Sequence, residues 1–350
     1  MSRIERSTAD NDRVTGRFLL AWWQHEQRTQ NFVINVPTLT PNAMKHLLDY
    51  LVYMLVRVMV CLAQALSLEM GVTLGRFFAW CFTYLVPIRR QLIRENLAIA
   101  FPEMTPQQRS ELVYRMWEHL FLLVVEVAHI PRRIHPTNWR DYITLVNTGA
   151  IGKILHNDRP IVMVTGHFGN FEAGGYLLGI LGYPTYSVAR TLDNPWLNDY
   201  VKSFREASGQ FLVPKNEGYD QILEVLARRD VMAFLADQSA GPKGCWVDFF
   251  GKKASTYKAI ALLSLQYDAP VVVCYATRQD DRPLHFNMTV AGILDPRDHP
   301  EGNTVPEITQ WFTHVLEEGI RHHPEQYWWL HRRWKEYQKV SPKKRTENHS

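Results

Sequence analysis

A chain of 350 residues with 46 % hydrophobic side chains has enough apolar material for one large globular domain, which excludes a wholly disordered protein. A formal net charge of +4 is too mild to mark a nucleic-acid binder, and it suits an anionic membrane surface or an acidic protein partner. The four cysteines, Cys61, Cys81, Cys245 and Cys274, lack C-x-x-C spacing; they fit reduced thiols of a cytosol-facing domain and speak against a zinc site.

Residues 1–45 read as a polar extension of mixed charge, without a signal-peptide pattern and with one short helical stretch, GRFLLAWWQHEQ. Residues 46–87 are the most apolar part of the chain. The segment HLLDYLVYMLVRVMVCLAQALSLEMG is long enough to cross a bilayer, which takes about 20 apolar residues. It carries Arg57 and Gln64 on one face with Tyr50 and Cys61, while Leu51, Leu55, Val58, Leu62 and Leu66 line another. Such a stripe fits a helix lying in the membrane interface, or one that spans while its polar side packs on protein; a buried core helix is the alternative. A second apolar piece, LGRFFAWCFTYLVP, ends at Pro87 before the basic IRRQLIR.

From Arg89 to about His135 the pattern is helical, with a cap at Thr105 and a proline at the first helical position. Beyond it, apolar β-type runs alternate with helical ones. Strands are expected in RPIVMVT, PTYSVAR, QFLVP, VMAFLAD, APVVVCYATR and LHFNMTVAGIL. Helices are expected in NFEAGGYLLGILG, NPWLNDYVKSFREASG, GYDQILEVLARRD, TYKAIALLSLQYD and VPEITQWFTHVLEEGIRHHP. This alternation over residues 88–337 predicts an α/β domain, a layered and mostly parallel sheet flanked by helices, with residues 338–350 as a loose tail. Ligands of such sheets sit beyond the carboxyl ends of the strands.

One such end holds TGHFGNFE, in which His167 and Glu172 stand five positions apart. The spacing alone is uninformative, since the composition gives one or two such pairs by chance; His331 and Glu336 form another. Context separates the two. His167 follows an apolar strand at a glycine-flanked turn where a helix begins, whereas His331 lies in YWWLHRRWKEY, which reads as an anchoring or anion-binding segment. A helix N-terminus favours neutral imidazole, the form that accepts a proton, and Glu172 inside the first turn would orient the ring. A structurally satisfied histidine is the competing reading. There is no G-x-S-x-G elbow, P-loop or dinucleotide fingerprint. A base without its own nucleophile fits a reaction in which a substrate hydroxyl attacks an activated acyl group.

Five blocks in order carry a resemblance over residues 47–337: RENLAIAFPEMTPQQRSELVYRMWEHL, GHFGNFE, YSVARTLDNPWLNDYVKSFREASG, MAFLADQSAGPKGCWVDFFGKKASTYKAIALL and EEGIRHHPEQYWWLHRRWK. Together they resemble the lipid A biosynthesis (lauroyl/myristoyl) acyltransferases of the lysophospholipid-acyltransferase-like group. The resemblance implies an α/β domain held by an N-terminal hydrophobic helix to the cytoplasmic face of the bacterial inner membrane. It implies transfer of a fatty acyl chain from acyl carrier protein or coenzyme A to a hydroxyl of a lipid A precursor or related glycolipid, with His167 as base assisted by Glu172. No cofactor is expected beyond the thioester co-substrate. A different acceptor (lysophospholipid, polyene lipid or amine) and a non-catalytic lipid-binding relative are the alternatives.

Within those blocks, Arg190 would fork onto a lipid phosphate or pair with Asp193, beside Asn194. Asp237 and Gln238 end a strand and would bind substrate or order the site. Lys243 would meet an anionic headgroup or belong to a plain turn, and Asn170 would cap the helix or donate to an oxyanion. His331, Arg332, Arg333 and Lys335 suit an anionic lipid. Acidic acyl carrier protein would dock on Arg89, Arg90 and Arg94, or on Arg132 and Arg133.

Overall fold

In the computed structural model the described residues are 41–156, 159–215, 218–298 and 303–337. The helix expected in GRFLLAWWQHEQ and the 338–350 tail lie outside them. The chain divides into two units, Met1–Tyr50 and Leu51–Ser350; of the first, residues 41–50 are described and are helical.

They begin α1 (Pro41–Ala65), whose stretch Asn42–Ala65 is long and apolar enough to cross a membrane. Leu51, Leu55, Val58 and Leu62 are exposed on it. Two of its polar side chains reach other groups: Arg57, though exposed, donates to the Tyr53 hydroxyl at 2.9 Å and lies 5.0 Å from the Tyr200 ring, and Gln64 donates to the Ala128 carbonyl at 3.0 Å. Next comes α2 (Leu68–Tyr84), capped by Ser67. Its buried residues, Gly71, Gly75, Ala79 and Thr83, recur every fourth position and make a smooth stripe. A Cβ at Gly71 would sit 2.7 Å from Val125 Cγ1, so the stripe lets α2 lie close on α4 (Pro106–Arg133).

The helical reading of 89–135 resolves into two helices, α3 (Arg90–Ala100) and α4, separated at Phe101–Pro102. Thr105 and Gln108 form a reciprocal capping box with Pro106 at the first turn, as its sequence predicts.

Among the described residues the sheet has seven strands. In chain order they are β1 (Ile143–Val146), β2 (Ile161–Thr165), β3 (Thr185–Ala189), β4 (Gln210–Pro214), β5 (Val231–Leu235), β8 (Val271–Arg278) and β9 (Phe286–Leu294). They lie side by side as β1-β9-β8-β2-β5-β3-β4. The run from β8 to β4 is parallel throughout; β9 returns antiparallel to β8, and β1 pairs parallel with β9. The helices between them are α5 (Gly149–His156), α6 (Phe171–Ile180), α7 (Pro195–Glu206), α8 (Tyr219–Ala227), α9 (Ala259–Gln266) and α10 (Val305–His322). An antiparallel hairpin, β6 (Cys245–Phe249) with β7 (Lys252–Thr256), stands apart from the sheet.

Central β2 explains its own unbroken apolar sequence. Val162 and Val164 join one core with Phe168, Phe312 and Leu316, while Ile161 and Met163 join another with Leu177 and Val272. Both faces of the strand are covered, so no polar alternation survives.

Candidate active site

Strands β2 and β5 pair in register from Ile161↔Val231 to Thr165↔Leu235, and the Ala236 amide donates to the Thr165 carbonyl at 2.8 Å. Two residues past that last pair come His167 and Asp237. Register therefore places them side by side at the carboxyl edge of the sheet. Asp237 Oδ1 lies 2.9 Å from His167 Nδ1, and the His167 amide donates to Oδ2 at 3.0 Å. The carboxylate is fully buried, and the imidazole keeps 16 % exposure. Burial alone would push the Asp237 carboxyl up; the His167 ring and its hydrogen bonds, with His331 and the His167 amide, outweigh it and hold the group below the ordinary carboxylate value. An ionised Asp237 accepts from Nδ1–H, which fixes the tautomer and makes Nε2 the atom that can take a proton.

The expected partner of the ring is thereby corrected. Glu172 is engaged by Arg205 instead, through Nε to Oε2 at 3.1 Å and a second bond from the terminal nitrogen to Oε1. Glu172 lies in the first turn of α6, where its charge complements the helix dipole, and the guanidinium fork reaches it from α7.

Turn 166–170 is pinned from three sides. Gly169 has φ +60°, and a Cβ there would lie 2.1 Å from the Ala276 carbonyl oxygen, so only glycine fits. Its amide donates to the Gln326 carbonyl at 2.9 Å, the Asn170 amide donates to Ala276 O at 2.7 Å, and the Trp328 amide donates to His167 O at 3.1 Å. A Cβ at Gly166 would come within 3.2 Å of Asp237, so the missing side chain lets the turn close on the carboxylate. Asn170 caps α6 by accepting from the Ala173 amide at 3.0 Å, and its Nδ2 donates to buried Glu126 at 3.0 Å.

Below the turn lies a buried ionic network. Glu126 of α4, fully buried, accepts from Arg278 at 2.7 and 2.8 Å, from Asn170 Nδ2 at 3.0 Å and from the Leu284 amide at 3.1 Å. His119 lies 3.0 Å from Arg278 and 3.3 Å from the Gly169 carbonyl. Burial, then the Arg278 charge, holds His119 well below the ordinary histidine value. Residue-by-residue reading passed over this network. The available signal was Glu126, a lone carboxylate inside the apolar run LFLLVVEVAHI.

The His167 ring borders a cleft of about 660 Å³. One wall, beneath α6, is apolar: Met163, Leu178, Ala233, Cys274 and Met288, with Gly174 and Gly175 leaving space on the helix side. Glu172, Arg205, Arg190 and Lys215 supply charge along its rim. Gln238 sits between two imidazoles, its amide nitrogen 3.4 Å from His167 Nε2 and 3.5 Å from His331 Nε2. His331, read from sequence as part of an anchoring segment, presents its ring 4.8 Å from the His167 ring, and burial holds it below the ordinary histidine value. The segment is tied to α3, since Asn96 donates to the Trp329 and His331 carbonyls, both at 2.8 Å.

Other expected residues divide. Arg190 lines the cleft mouth while pairing with exposed Asp193 at 3.2 Å. Asn194 caps α7. Lys243 is exposed on the turn 241–244. Arg332 and Lys335 are exposed, but Arg333 is buried, which corrects its reading as a surface anion-binder. Arg89 donates to the Leu330 carbonyl, and Arg90 to the Thr83 and Tyr84 carbonyls that end α2. Arg94, Arg132 and Arg133 are exposed.

Residues 41–336 match the family model for bacterial lipid A biosynthesis acyltransferases. The lipid A biosynthesis lauroyltransferase of Escherichia coli K12 is 26 % identical over 253 residues, 71 % of this chain and 79 % of that protein. The lipid A biosynthesis palmitoleoyltransferase of the same organism is 24 % identical over 252 residues, again 71 % and 79 %. Among solved structures, the 1-acyl-sn-glycerophosphate acyltransferase PlsC of Thermotoga maritima covers 75 % of this chain and 100 % of its own, with TM-score 0.37 and 11 % identity. The chain belongs to the bacterial lipid A biosynthesis acyltransferase family.

Proposed function

We propose that the protein moves a fatty acyl chain from a thioester of acyl carrier protein or coenzyme A to a hydroxyl of a lipid A precursor or related glycolipid. The observation that carries this reading is the His167–Asp237 pair at the border of a cleft that is apolar on one side and charged at its rim. Nε2 takes the hydroxyl proton as the oxygen attacks the thioester carbonyl. The carbon–sulfur bond then breaks, and the thiolate recovers the proton from the imidazolium. Asp237 holds the ring and balances its transient charge. The apolar wall receives the acyl chain; Arg190, Lys215 and the Arg205–Glu172 pair face the anionic acceptor. The reaction takes place at the cytoplasmic face of the inner membrane, where α1 and the outer side of α2 hold the protein, and the acidic carrier protein docks on the exposed arginines.

His167→Ala tests this. General-base catalysis contributes about 10²–10⁴-fold, so transfer from acyl carrier protein to a lipid A precursor should fall by at least 10²-fold with the fold intact, and mass spectra of membrane lipids should lose one acyl mass. Near-wild-type transfer by the variant refutes the mechanism.

A further inference from the structure

Two consecutive residues meet both nitrogens of the His167 ring. Asp237 lies 2.9 Å from Nδ1, and the amide nitrogen of Gln238 lies 3.4 Å from Nε2. The Nδ1 proton is committed to Asp237, so Nε2 is an acceptor and the amide presents N–H to it. The same nitrogen lies 3.5 Å from His331 Nε2. A full N–H hydrogen bond spans about 2.7–3.2 Å, so both contacts are weak and leave the amide protons open to a better acceptor.

The chain just beyond Gln238 is fixed all the same. Ser239 Oγ lies 2.9 Å from the Tyr337 hydroxyl, and the Ala240 amide donates to the Ser255 carbonyl at 3.1 Å. The His331 ring stacks on Trp328 at 5.9 Å between centres. Of the two side-chain amides that line the cleft among the described residues, Gln210 contacts Ser208 and Gln238 contacts the base. A hydroxyl giving its proton to Nε2 sits about 2.6–3.2 Å from it, and the thioester carbon about 3–3.5 Å from the hydroxyl oxygen. The carbonyl oxygen on that carbon comes within reach of a donor 3.4 Å from Nε2. Negative charge gathers on this oxygen during attack, and a preorganised uncharged N–H stabilises it without moving a proton.

We propose that Gln238 is a further catalytic residue, the donor that holds the thioester carbonyl oxygen as it becomes an oxyanion. The inference rests on the acyl-transfer reading with His167 as base. When a hydroxyl donates to Nε2, it takes the lone pair that Gln238 had faced, and the released amide N–H turns to the carbonyl oxygen. The hydroxyl oxygen bonds to the thioester carbon, its proton passes to Nε2, and the carbonyl π pair moves onto the oxygen held by Gln238. That pair then re-forms the carbonyl as the carbon–sulfur bond breaks. The sulfur leaves with the bonding electrons and takes the proton from the imidazolium. Contact with His331 keeps the amide in place through the cycle.

Transfer from acyl carrier protein to a lipid A precursor tests this in the full-length protein, with Gln238→Met, Gln238→Glu and Gln238→His beside His167→Ala. Removing one oxyanion donor costs about 10²–10³-fold in kcat. Gln238→Met and Gln238→Glu should each lose that much, while KM for both substrates changes by less than about threefold. Gln238→His, which keeps an N–H at similar reach, should stay within about tenfold of wild type. A Met variant within about threefold of the wild-type kcat overturns the proposal, as does a loss that falls on KM. Where Gln238→Met fails a thermal melt, Gln238→Glu against Gln238→His decides, and equal losses in the two overturn it. Loss in Gln238→Met with His167→Ala fully active keeps the donor and removes the base reading. Loss in His167→Ala with Gln238→Met fully active does the reverse.

Discussion

At the scale of single residues, the proposed role of His167 as base depends on what surrounds it. A lone imidazole on a turn rotates freely; here Nδ1 is tied to a buried carboxylate and the ring is flanked by Phe171, Trp328 and His331 at 5.3, 5.1 and 4.8 Å between centres. Orientation is thereby fixed before any substrate arrives, which lowers the entropy cost of reaching the reactive geometry. Cys274 on the cleft wall shows the opposite use of burial. Its thiol is pushed up to about 12, so it stays protonated in the native protein at neutral pH. Iodoacetamide at pH 8 should modify it only after unfolding, and labelling of the native protein would contradict the assigned burial. The linkage has a definite sign. Between the unfolded thiol value near 9 and about 12 the native state binds the extra proton, so this group's contribution to stability falls as pH rises through that window.

At the scale of elements, the turn 166–170 is held by helix α4, strand β8 and the segment after α10. Glu126 and Arg278 are the knot. Removing one member strands the other without water, a loss of about 3–5 kcal/mol, whereas apolar replacement of both is far cheaper. Glu126→Ala should therefore lose about that much stability in denaturant unfolding, and the double variant Glu126→Met/Arg278→Met should recover part of it. Equal losses for the single and double variants would show that the pair is not coupled.

The same scale shows which parts were legible in the chain. Strands such as Ile161–Thr165 and Val231–Leu235 announced themselves because local apolar runs report burial, and the cap at Thr105 needs only neighbours in sequence. Edge strand β1 was hidden by its short, half-exposed ITLV pattern. Hairpin β6–β7 was hidden because its turn residues, Phe250 and Gly251, lie among aromatic and basic side chains that carry no clear alternation. His167 was legible from its turn. The carboxylate that hydrogen-bonds it was not, since Asp237 reaches it through strand register across 70 residues, whereas Glu172, nearer in sequence, pairs with Arg205. Arg205, Lys215 and Trp328 join the cleft by the same kind of long-range closure.

At the scale of the whole molecule, the amphipathic layout of the first helices points to a lipid surface. The inner stripe of α2 is small and buried, and its outer side exposes Leu74, Phe77, Phe78, Trp80 and Tyr84, followed by Leu85, Val86 and Ile88. Aromatic and aliphatic side chains arranged this way favour the bilayer interface. Replacing Leu74, Phe77 and Phe78 together with serine should weaken binding to anionic vesicles at least tenfold in a flotation assay while leaving the thermal melt unchanged. Undiminished flotation would assign membrane attachment elsewhere.

Which carboxylate serves the proposed base is decided by a paired assay. Acyl transfer from acyl carrier protein to a lipid A precursor is compared in Asp237→Asn and Glu172→Gln, both shown to be folded. Loss of the buried ion beside His167 should cut kcat by at least 10²-fold with little change in KM, because the ring keeps its place but loses charge support. Glu172→Gln, which frees Arg205 at the cleft rim, should act mainly on KM for the acceptor. The reverse outcome, with Asp237→Asn near wild type in kcat and Glu172→Gln inactive, would contradict the mechanism.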